Sequence, residues 1–463
     1  MSTYDFDLVV IGAGPAGESA AINASKQDLN VAIIDNQKEP GGNCTHAGTI
    51  PSKALRSAIN SYLRFQENPV TPNLKLEQRI QYQDLRPNVS EIIRQQVSMR
   101  SRFFLKNNIR YYYGTAKFID ENHIQFSENQ KRGTEISAKK IIIATGSRPY
   151  HPDNIDFKHP RVFDSDSILD MPFTPKRLII YGAGVIGSEY ASMFSNLGVK
   201  VDLVNTRGQL LEFLDDEISD ALSYHMMKRG VTVRHQEEYQ RLETTDTHVF
   251  LHLASGKRIK GDAILWCNGR TGNTDQLALD TVNLKANHRG QLAVDENYKT
   301  NADNIYAIGD VIGWPSLASA AYNQGFEASS VVAGNEEDVR VNDVPTGIYT
   351  IPEISSVGLT EKELTQQKIP YEVGRAFFKN TARAQISGQT AGMLKILFHS
   401  QTFAILGIHC FGHEATEIIH IGQAIMKQNG PANDIRYFIN TTFNYPTMAE
   451  AYRIAAFNGL NRL

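Results

Sequence analysis

Six glycines and the side chains that follow them carry the most legible chemistry in the sequence. Gly12, Gly14 and Gly17 stand in Gly-x-Gly-x-x-Gly spacing after an apolar run, and Gly182, Gly184 and Gly187 repeat it. In such a turn the first glycine permits a tight bend from strand to helix. The second lets a pyrophosphate approach the backbone, and the third lets the helix pack closely, so that phosphate charge meets a helix N-terminus. Asp35 closes the strand after the first turn, where a carboxylate accepts hydrogen bonds from both hydroxyls of an adenosine ribose. The matching position of the second copy is Asn205, followed by Thr206 and Arg207. An amide does not repel a ribose 2′-phosphate and an arginine can pair with it, so the second site is expected to take both NAD and NADP. Simple tight packing is the alternative for a glycine-rich turn alone, and a solvated loop is the alternative for Arg207.

Positioning those residues requires a repeated unit. DLVVIGAGPAGESAA from Asp7 and RLIIYGAGVIGSEYA from Arg177 resemble each other at an offset of 170 residues. Each reads as strand, turn and helix, and a second strand follows at Val31 to Ile34 and at Val199 to Val204, the start of a parallel sheet. Ile50 to Asn107 reads as mostly helical, interrupted at Pro69, Pro72 and Pro87. Arg110 to Phe126 is β-rich, Tyr111 to Tyr113 alternate into a strand, and Lys140 to Arg148 reads as a buried strand and turn. Five prolines from Pro149 to Pro175 mark a connector and a first boundary. Further boundaries are expected near Asn268 to Asn273 and Asp338 to Pro345, which divides the chain into 1–150, 151–270, 271–342 and 343–463. In the last segment Lys395 to Phe398 and Ile405 to Phe411 read as strands. Glu414 to Lys427 reads as an amphipathic helix whose exposed apolar face is expected to meet a second subunit.

Composition narrows the function classes. With 463 residues and 41% hydrophobic side chains the chain can fill about three cores, which excludes a disordered or fibrous protein. The 47 basic and 50 acidic residues leave a net charge of -3 without long like-charge blocks, so neither nucleic acid nor an anionic membrane is an expected partner. No apolar run reaches the roughly 18 residues of a spanning helix. Three cysteines, Cys44, Cys267 and Cys410, cannot form a disulfide framework, and the acidic start of the chain does not read as a signal peptide. A soluble cytoplasmic enzyme is therefore expected.

The ordered landmarks resemble those of the flavoprotein disulfide reductases over nearly the whole chain. They are the first glycine-rich turn, GGNCTHAGTIPSK from Gly41 to Lys53, ATGSRP from Ala144 to Pro149 and the second turn with Glu189. YAIGD from Tyr306 to Asp310, IPEISSVGLTE from Ile351 to Glu361 and NYPTMAE from Asn444 to Glu450 follow. The resemblance implies an α/β fold with two Rossmann-like dinucleotide-binding domains, one for FAD and one for NAD(P), plus a C-terminal α+β dimerisation domain that makes a homodimer or larger homo-oligomer. Segments 1–150 and 271–342 would form the FAD domain, 151–270 the NAD(P) domain and 343–463 the dimerisation domain. Gly41, Gly42, Cys44, Thr145, Gly146, Gly269, Gly309 and Asp310 join the glycine turns, Asp35, Asn205 and Arg207 as implied cofactor-binding residues. Lys53, placed beside the flavin and paired with Glu189, is implied to be catalytic through charge stabilisation, an ordinary interdomain salt bridge being the alternative.

Two departures redirect the chemistry. The family's redox pair is Cys-x-x-x-x-Cys, but the partner of Cys44 is Thr49, whose hydroxyl can neither close a disulfide nor act as a thiolate. Replacement of the missing thiol by Cys267 or Cys410 is disfavoured by the geometry a disulfide demands. The family's proton-shuttling His before Pro-Thr is here Tyr445, although Pro446, Thr447 and Glu450 remain, and a phenol is a poor shuttle at neutral pH. Without a thiol relay, the expected activity is Si-specific, reversible, ping-pong hydride transfer from NADPH to NAD+ through FAD, with nicotinamide dinucleotides as substrates and no metal. The alternatives are a diaphorase or quinone reductase and a nonenzymatic FAD redox sensor. His46, inside the former disulfide loop, is expected to be packed or solvated, and His409, His413 and His420 to serve a core or interface rather than a metal.

Overall fold

The computed structural model describes residues 4–66, 80–128, 133–335 and 344–463. The first unit begins with β1 (Phe6–Ile11), α1 (Pro15–Lys26) and β2 (Val31–Asp35). Both strands are nearly continuous apolar runs because parallel strands are covered on both faces. Pro15 lies in the first turn of α1, where its missing N–H costs nothing. The short α2 (Gly42–His46), the long α3 (Thr49–Gln66) and α4 (Arg86–Lys106) follow. Pro87 therefore starts a helix instead of interrupting one, for the same reason as Pro15. Pro69 and Pro72 lie outside the described residues.

Strands β3 (Arg110–Tyr113), β4 (Thr115–Phe118), β5 (His123–Ser127) and β6 (Thr134–Ile143) complete the first unit's early part. Tyr111 and Tyr112 pack as expected, Tyr111 stacking on Phe104 and Tyr112 lying against Phe126. The long β6 serves two partners: its first half pairs antiparallel with β5, its second half parallel with β1. The three-residue strand β7 (Ser147–Pro149) leads into the 149–175 segment. That segment is more than a connector, because it contributes β8 (Val162–Phe163), the edge of the next sheet.

The second unit repeats the first. Helix α5 (Val185–Asn196) follows β9 (Arg177–Tyr181) and starts 170 residues after α1 with the same 12-residue length. With β10 (Lys200–Val204), α6 (Asp216–Lys228), β11 (Val231–Arg234) and β15 (Ala263–Trp266), it builds a parallel sheet ordered β11-β10-β9-β15-β8. Between them β12 (Tyr239–Thr244), β13 (Val249–Leu253) and β14 (Arg258–Gly261) form an antiparallel layer. The chain returns through β16 (Arg270–Gly272), which pairs with β7 at the expected second boundary, and β17 (Ile305–Ala307) then joins the first sheet beside β6. Helix α7 (Ala318–Val332) packs on α1. Most of the third expected boundary lies outside the described residues.

The last unit is an antiparallel sheet of β18 (Thr346–Ile348), β19 (Glu353–Gly358), β20 (Tyr371–Phe377), β21 (Gly392–His399) and β22 (Ile405–Gly412), ordered β18-β19-β22-β21-β20. A short α8 (Glu361–Gln366) follows β19, α9 (Ala415–Met426) follows β22, and α10 (Glu450–Leu460) packs on β20. The expected exposed apolar face of α9 needs correction. Ile418 and Ile419 are buried against the unit's own sheet, because β22 presents Ile408 and Cys410 to them. Among the described residues no helix is long and apolar enough to cross a membrane. The α/β class expected from the sequence is the observed one.

Candidate functional site

The two glycine turns are built alike. Gly12 and Gly182 sit at φ +111° and +107°, a region disfavoured for side chains. A Cβ on Gly17 would lie 1.9 Å from the Gly12 carbonyl oxygen, and one on Gly187 would lie 1.8 Å from that of Gly182, so each third glycine is fixed by the strand it crosses. Gly184 by contrast faces open space, and a Cβ on Gly14 would meet nothing nearer than Gly42 at 3.9 Å. The middle glycine of each turn thus leaves its backbone accessible, which is what a pyrophosphate needs.

The first turn opens into a cavity of about 910 Å³ lined by Gly12, Gly14, Asp35, Gly42, Cys44, Lys53, Thr145, Gly146, Glu189, Gly309, Asp310 and Tyr349, among others. Asp35 stands at the end of β2. Its Oδ2 accepts from Ala13 N at 2.5 Å and its Oδ1 from Gln37 N at 2.7 Å, leaving lone pairs on both oxygens. Burial pushes the Asp35 carboxyl above its ordinary range, against the two amide donors. The Thr145 hydroxyl is buried without a partner at the cavity wall, an orphan that a bound polar group would satisfy. Asp310 accepts from Ser147 Oγ at 2.7 Å. An extended cavity with an open glycine turn at one end, a ribose-facing carboxylate and an orphan hydroxyl fits FAD.

Cys44 lies on α2 and Thr49 opens α3, on either side of the Ala47–Gly48 bend, and both line the cavity. Burial raises the Cys44 thiol above its usual range. All three cysteines are free. Cys267 donates to the Gly182 carbonyl oxygen at 3.1 Å and is pushed up to about 12 by burial, while Cys410 is buried in β22. Lys53, one turn further along α3, places Nζ 2.7 Å from Glu189 Oε2 on α5. The pair expected from separate motifs is therefore formed, joining the two dinucleotide units at the cavity wall.

Gly17, Gly41, Gly182, Gly184, Gly187, Asn205, Arg207 and Gly269 do not line this cavity. Gly41 packs against Thr45, and Gly269 accepts from Tyr150 N. Asn205 is not free to read a ribose: its Nδ2 meets Gln209 O at 2.8 Å and His235 Nδ1 at 3.1 Å, and its Oδ1 accepts from Arg207 N. Arg207 is exposed and pairs with Glu212 at 3.3 Å. His46 contacts Pro40 O, and the three C-terminal histidines do not converge. His409 meets Leu359 O, His413 meets Arg64, and His420 meets Gln423. Tyr445 is 73% exposed, and the Glu450 carboxylate has one buried oxygen without a partner.

Several residues at the site escaped the sequence reading. Arg270 Nε donates to Ser147 Oγ at 2.8 Å and so supports the Asp310 contact. Glu18, in the first turn of α1 but not on the cavity wall, is buried against Arg100 at 3.0 Å and Tyr322 at 3.1 Å. Tyr349 lies over Lys53 with its ring centroid 5.0 Å from Nζ. The only signal for Arg270 was its place beside Gly269; the others carry no local pattern.

The sequence matches the family described as pyridine nucleotide-disulphide oxidoreductase over residues 6–325, and that family's dimerisation domain over residues 344–456. It is 59% identical to a protein of Azotobacter vinelandii named soluble pyridine nucleotide transhydrogenase, and 58% identical to one of the same name from Ectopseudomonas mendocina. In both cases 100% of each chain is covered. Among solved structures it is similar to a Cu(II) complex of the HOCl-induced flavoprotein disulfide reductase RclA from Escherichia coli (25% identity, TM-score 0.88, 99% of both chains). LpdA from Mycobacterium tuberculosis is likewise similar (25% identity, TM-score 0.88, 97% of this chain and 99% of that one). With both parts of the family pattern present in order across the described units, the chain belongs to the pyridine nucleotide-disulphide oxidoreductase family.

Proposed function

We propose that this chain transfers hydride between NADPH and NAD+, giving NADP+ and NADH reversibly, with FAD as carrier and without a thiol relay. The observation that carries this reading is Thr49 on the wall of the cavity that Cys44 also lines: where a second sulfur would have to stand there is a hydroxyl. Relatives covering the full chain are named for such an activity. FAD is the family's cofactor, and when bound it would supply reversible two-electron chemistry between the donor and acceptor nucleotides. Gly12, Gly14, Asp35 and Thr145 would hold its dinucleotide part, and Gly42, Cys44, Gly146, Gly309 and Asp310 the remainder of the cavity wall. Gly17 and Gly41 act one step back, by shaping the turns.

Lys53 presents a positive charge at the wall, and Glu189 keeps that charge in place. The second turn, with Gly182, Gly184 and Gly187, would hold the pyrophosphate of either nicotinamide nucleotide, with Gly269 flanking it. Asn205 contributes by being no carboxylate, since its amide is consumed internally. One site for both nucleotides implies that they bind in turn. The division into 1–150 with 271–342, 151–270 and 343–463 is supported by the strand pairing: β17 joins the sheet of β1 to β6, while β8 to β11 with β15, and β18 to β22, form sheets of their own. The dimerisation-domain match supports a homodimer, and we place the protein in the cytoplasm.

Initial rates of thio-NADH formation by the purified FAD-loaded protein, with NADPH and thio-NAD+ both varied, are expected to give parallel double-reciprocal lines. Absence of thio-NADH would sink the proposal, and intersecting lines would remove its single-site exchange. Arg207→Ala is expected to weaken NADP(H) about three- to tenfold relative to NAD(H), the range of an exposed charge-assisted contact. Titration of both nucleotides checks this, and equal loss for both would take Arg207 out of phosphate recognition.

A further inference from the structure

Between β18 and β19 the C-terminal unit sends one short segment, residues 349–352, between α3 of the first unit and α5 of the second. Its polar groups are taken up by those two helices. Tyr349 N donates to Glu189 Oε1 at 2.8 Å, Arg56 Nε donates to Thr350 O at 3.1 Å, and Ile351 N donates to Ser192 Oγ at 2.7 Å. Arg56 Nη1 also pairs with Glu353 at 2.9 Å. Glu189 is thus held at both oxygens, by Lys53 on Oε2 and by the Tyr349 amide on Oε1. The Tyr349 ring faces the Lys53 ammonium at 5.0 Å and lines the same cavity.

We propose that Tyr349 is the positioning residue of the Lys53–Glu189 pair, so that the C-terminal unit, remote from hydride transfer in sequence, sets where the catalytic charge stands. A lysine on its own loses rotamer entropy when fixed, and its four-carbon stem does not select one position. The ring face attracts the ammonium from one side while the carboxylate draws it from the other. The backbone amide removes the carboxylate's remaining freedom. The inference rests on the reading that Lys53 acts on bound FAD.

The test compares full-length, FAD-loaded Tyr349→Leu and Tyr349→Phe with Lys53→Met as the reference, reading the midpoint potential of the bound flavin and the rate of its reduction by NADPH. A cation beside the ring system raises the potential, so Lys53→Met lowers it. Tyr349→Leu is expected to lower it in the same direction by less, with reduction about three- to tenfold slower and NADPH affinity unchanged. Tyr349→Phe, which keeps the ring face, is expected to restore both to the native values. Tyr349→Met takes the place of Tyr349→Leu if the latter does not fold. A native potential in Tyr349→Leu beside a lowered one in Lys53→Met overturns the positioning role. A native potential in Lys53→Met itself overturns the reading beneath, and the proposal with it.

Discussion

Lys53→Met is expected to lower turnover of NADPH with thio-NAD+ about 100-fold while FAD stays bound, the scale seen when one preorganised charge-stabilising group is removed from a water-excluded site. The FAD-holding groups lie in other motifs: the Gly12 turn, Asp35 at the end of β2, and Asp310 near the end of β17. Methionine keeps the length of the lysine stem, so packing along α3 changes little. The charge is lost at a place where Lys53 is a quarter exposed and Glu189 is buried, which leaves the Glu189 carboxylate with the Tyr349 amide but without its cation. KM for NADPH is expected to change little, because nothing in the second glycine turn is touched. Flavin content by absorbance and turnover per flavin check this together. A variant that loses FAD but keeps native turnover per flavin would make the pair a mere interdomain tie.

The largest expected effect on stability lies elsewhere, at Lys395. Its ammonium is 1% exposed, lies 2.7 Å from Asp215 and 3.1 Å from Glu217, and bonds Glu361. Asp215 caps α6 of the second unit, and Lys395 sits in β21, so the cluster ties the nucleotide-binding unit to the C-terminal one. Lys395→Met leaves three carboxylates with Arg375 as the remaining cation, and removing one partner of a buried pair costs about 3–5 kcal/mol. A melting temperature lower by several degrees is expected, with turnover at low temperature unaffected.

The pH dependence of that loss has a defined sign. Burial opposes the Lys395 charge, but Asp215 and Glu361 outweigh it and raise its pKa, so its contribution is complete below the ordinary lysine range and lost as pH rises past it. Burial likewise pushes Asp215 up, but His409 and Lys395 outweigh it and hold the carboxyl low, so its share is complete above the ordinary Asp range, about pH 4, and lost as pH falls below it. The native tie is therefore fully present near neutrality. In Lys395→Met the three carboxylates keep only Arg375 in place of two cations, so the difference in melting temperature should be greatest near pH 7 and shrink toward pH 4. A constant difference across that range would mean that packing, not charge, is what Lys395 supplies.

What the sequence made legible was what is locally constrained. The glycine turns could be read because a positive φ and a helix crossing its own strand each exclude side chains at fixed spacing. The 170-residue repeat of α1 and α5 followed from the same constraint. Lys53 and Glu189 came from the family resemblance, carried by GGNCTHAGTIPSK and by the second glycine turn. The groups that were missed are paired across long sequence separations, Glu18 with Arg100 and Lys395 with Asp215, and no period or spacing announces such contacts. Pro87 was misread because a proline that breaks a helix and one that begins it look alike until the helix N-terminus is located. Asn205 was read only as an amide that does not repel a 2′-phosphate; that Gln209, His235 and Arg207 use that amide depends on contacts no spacing announces.

The central claim is that Thr49 in place of a second cysteine sends the hydride to a nicotinamide instead of a disulfide. One reaction mixture tests it most directly: FAD-loaded protein with NADPH, thio-NAD+ and lipoamide together, scored for thio-NADH by absorbance and for new thiols by titration. The predicted result is that the NADPH consumed is recovered as thio-NADH, with no thiols above the lipoamide-free control. Thiol formation that accounts for most of the NADPH would contradict the account.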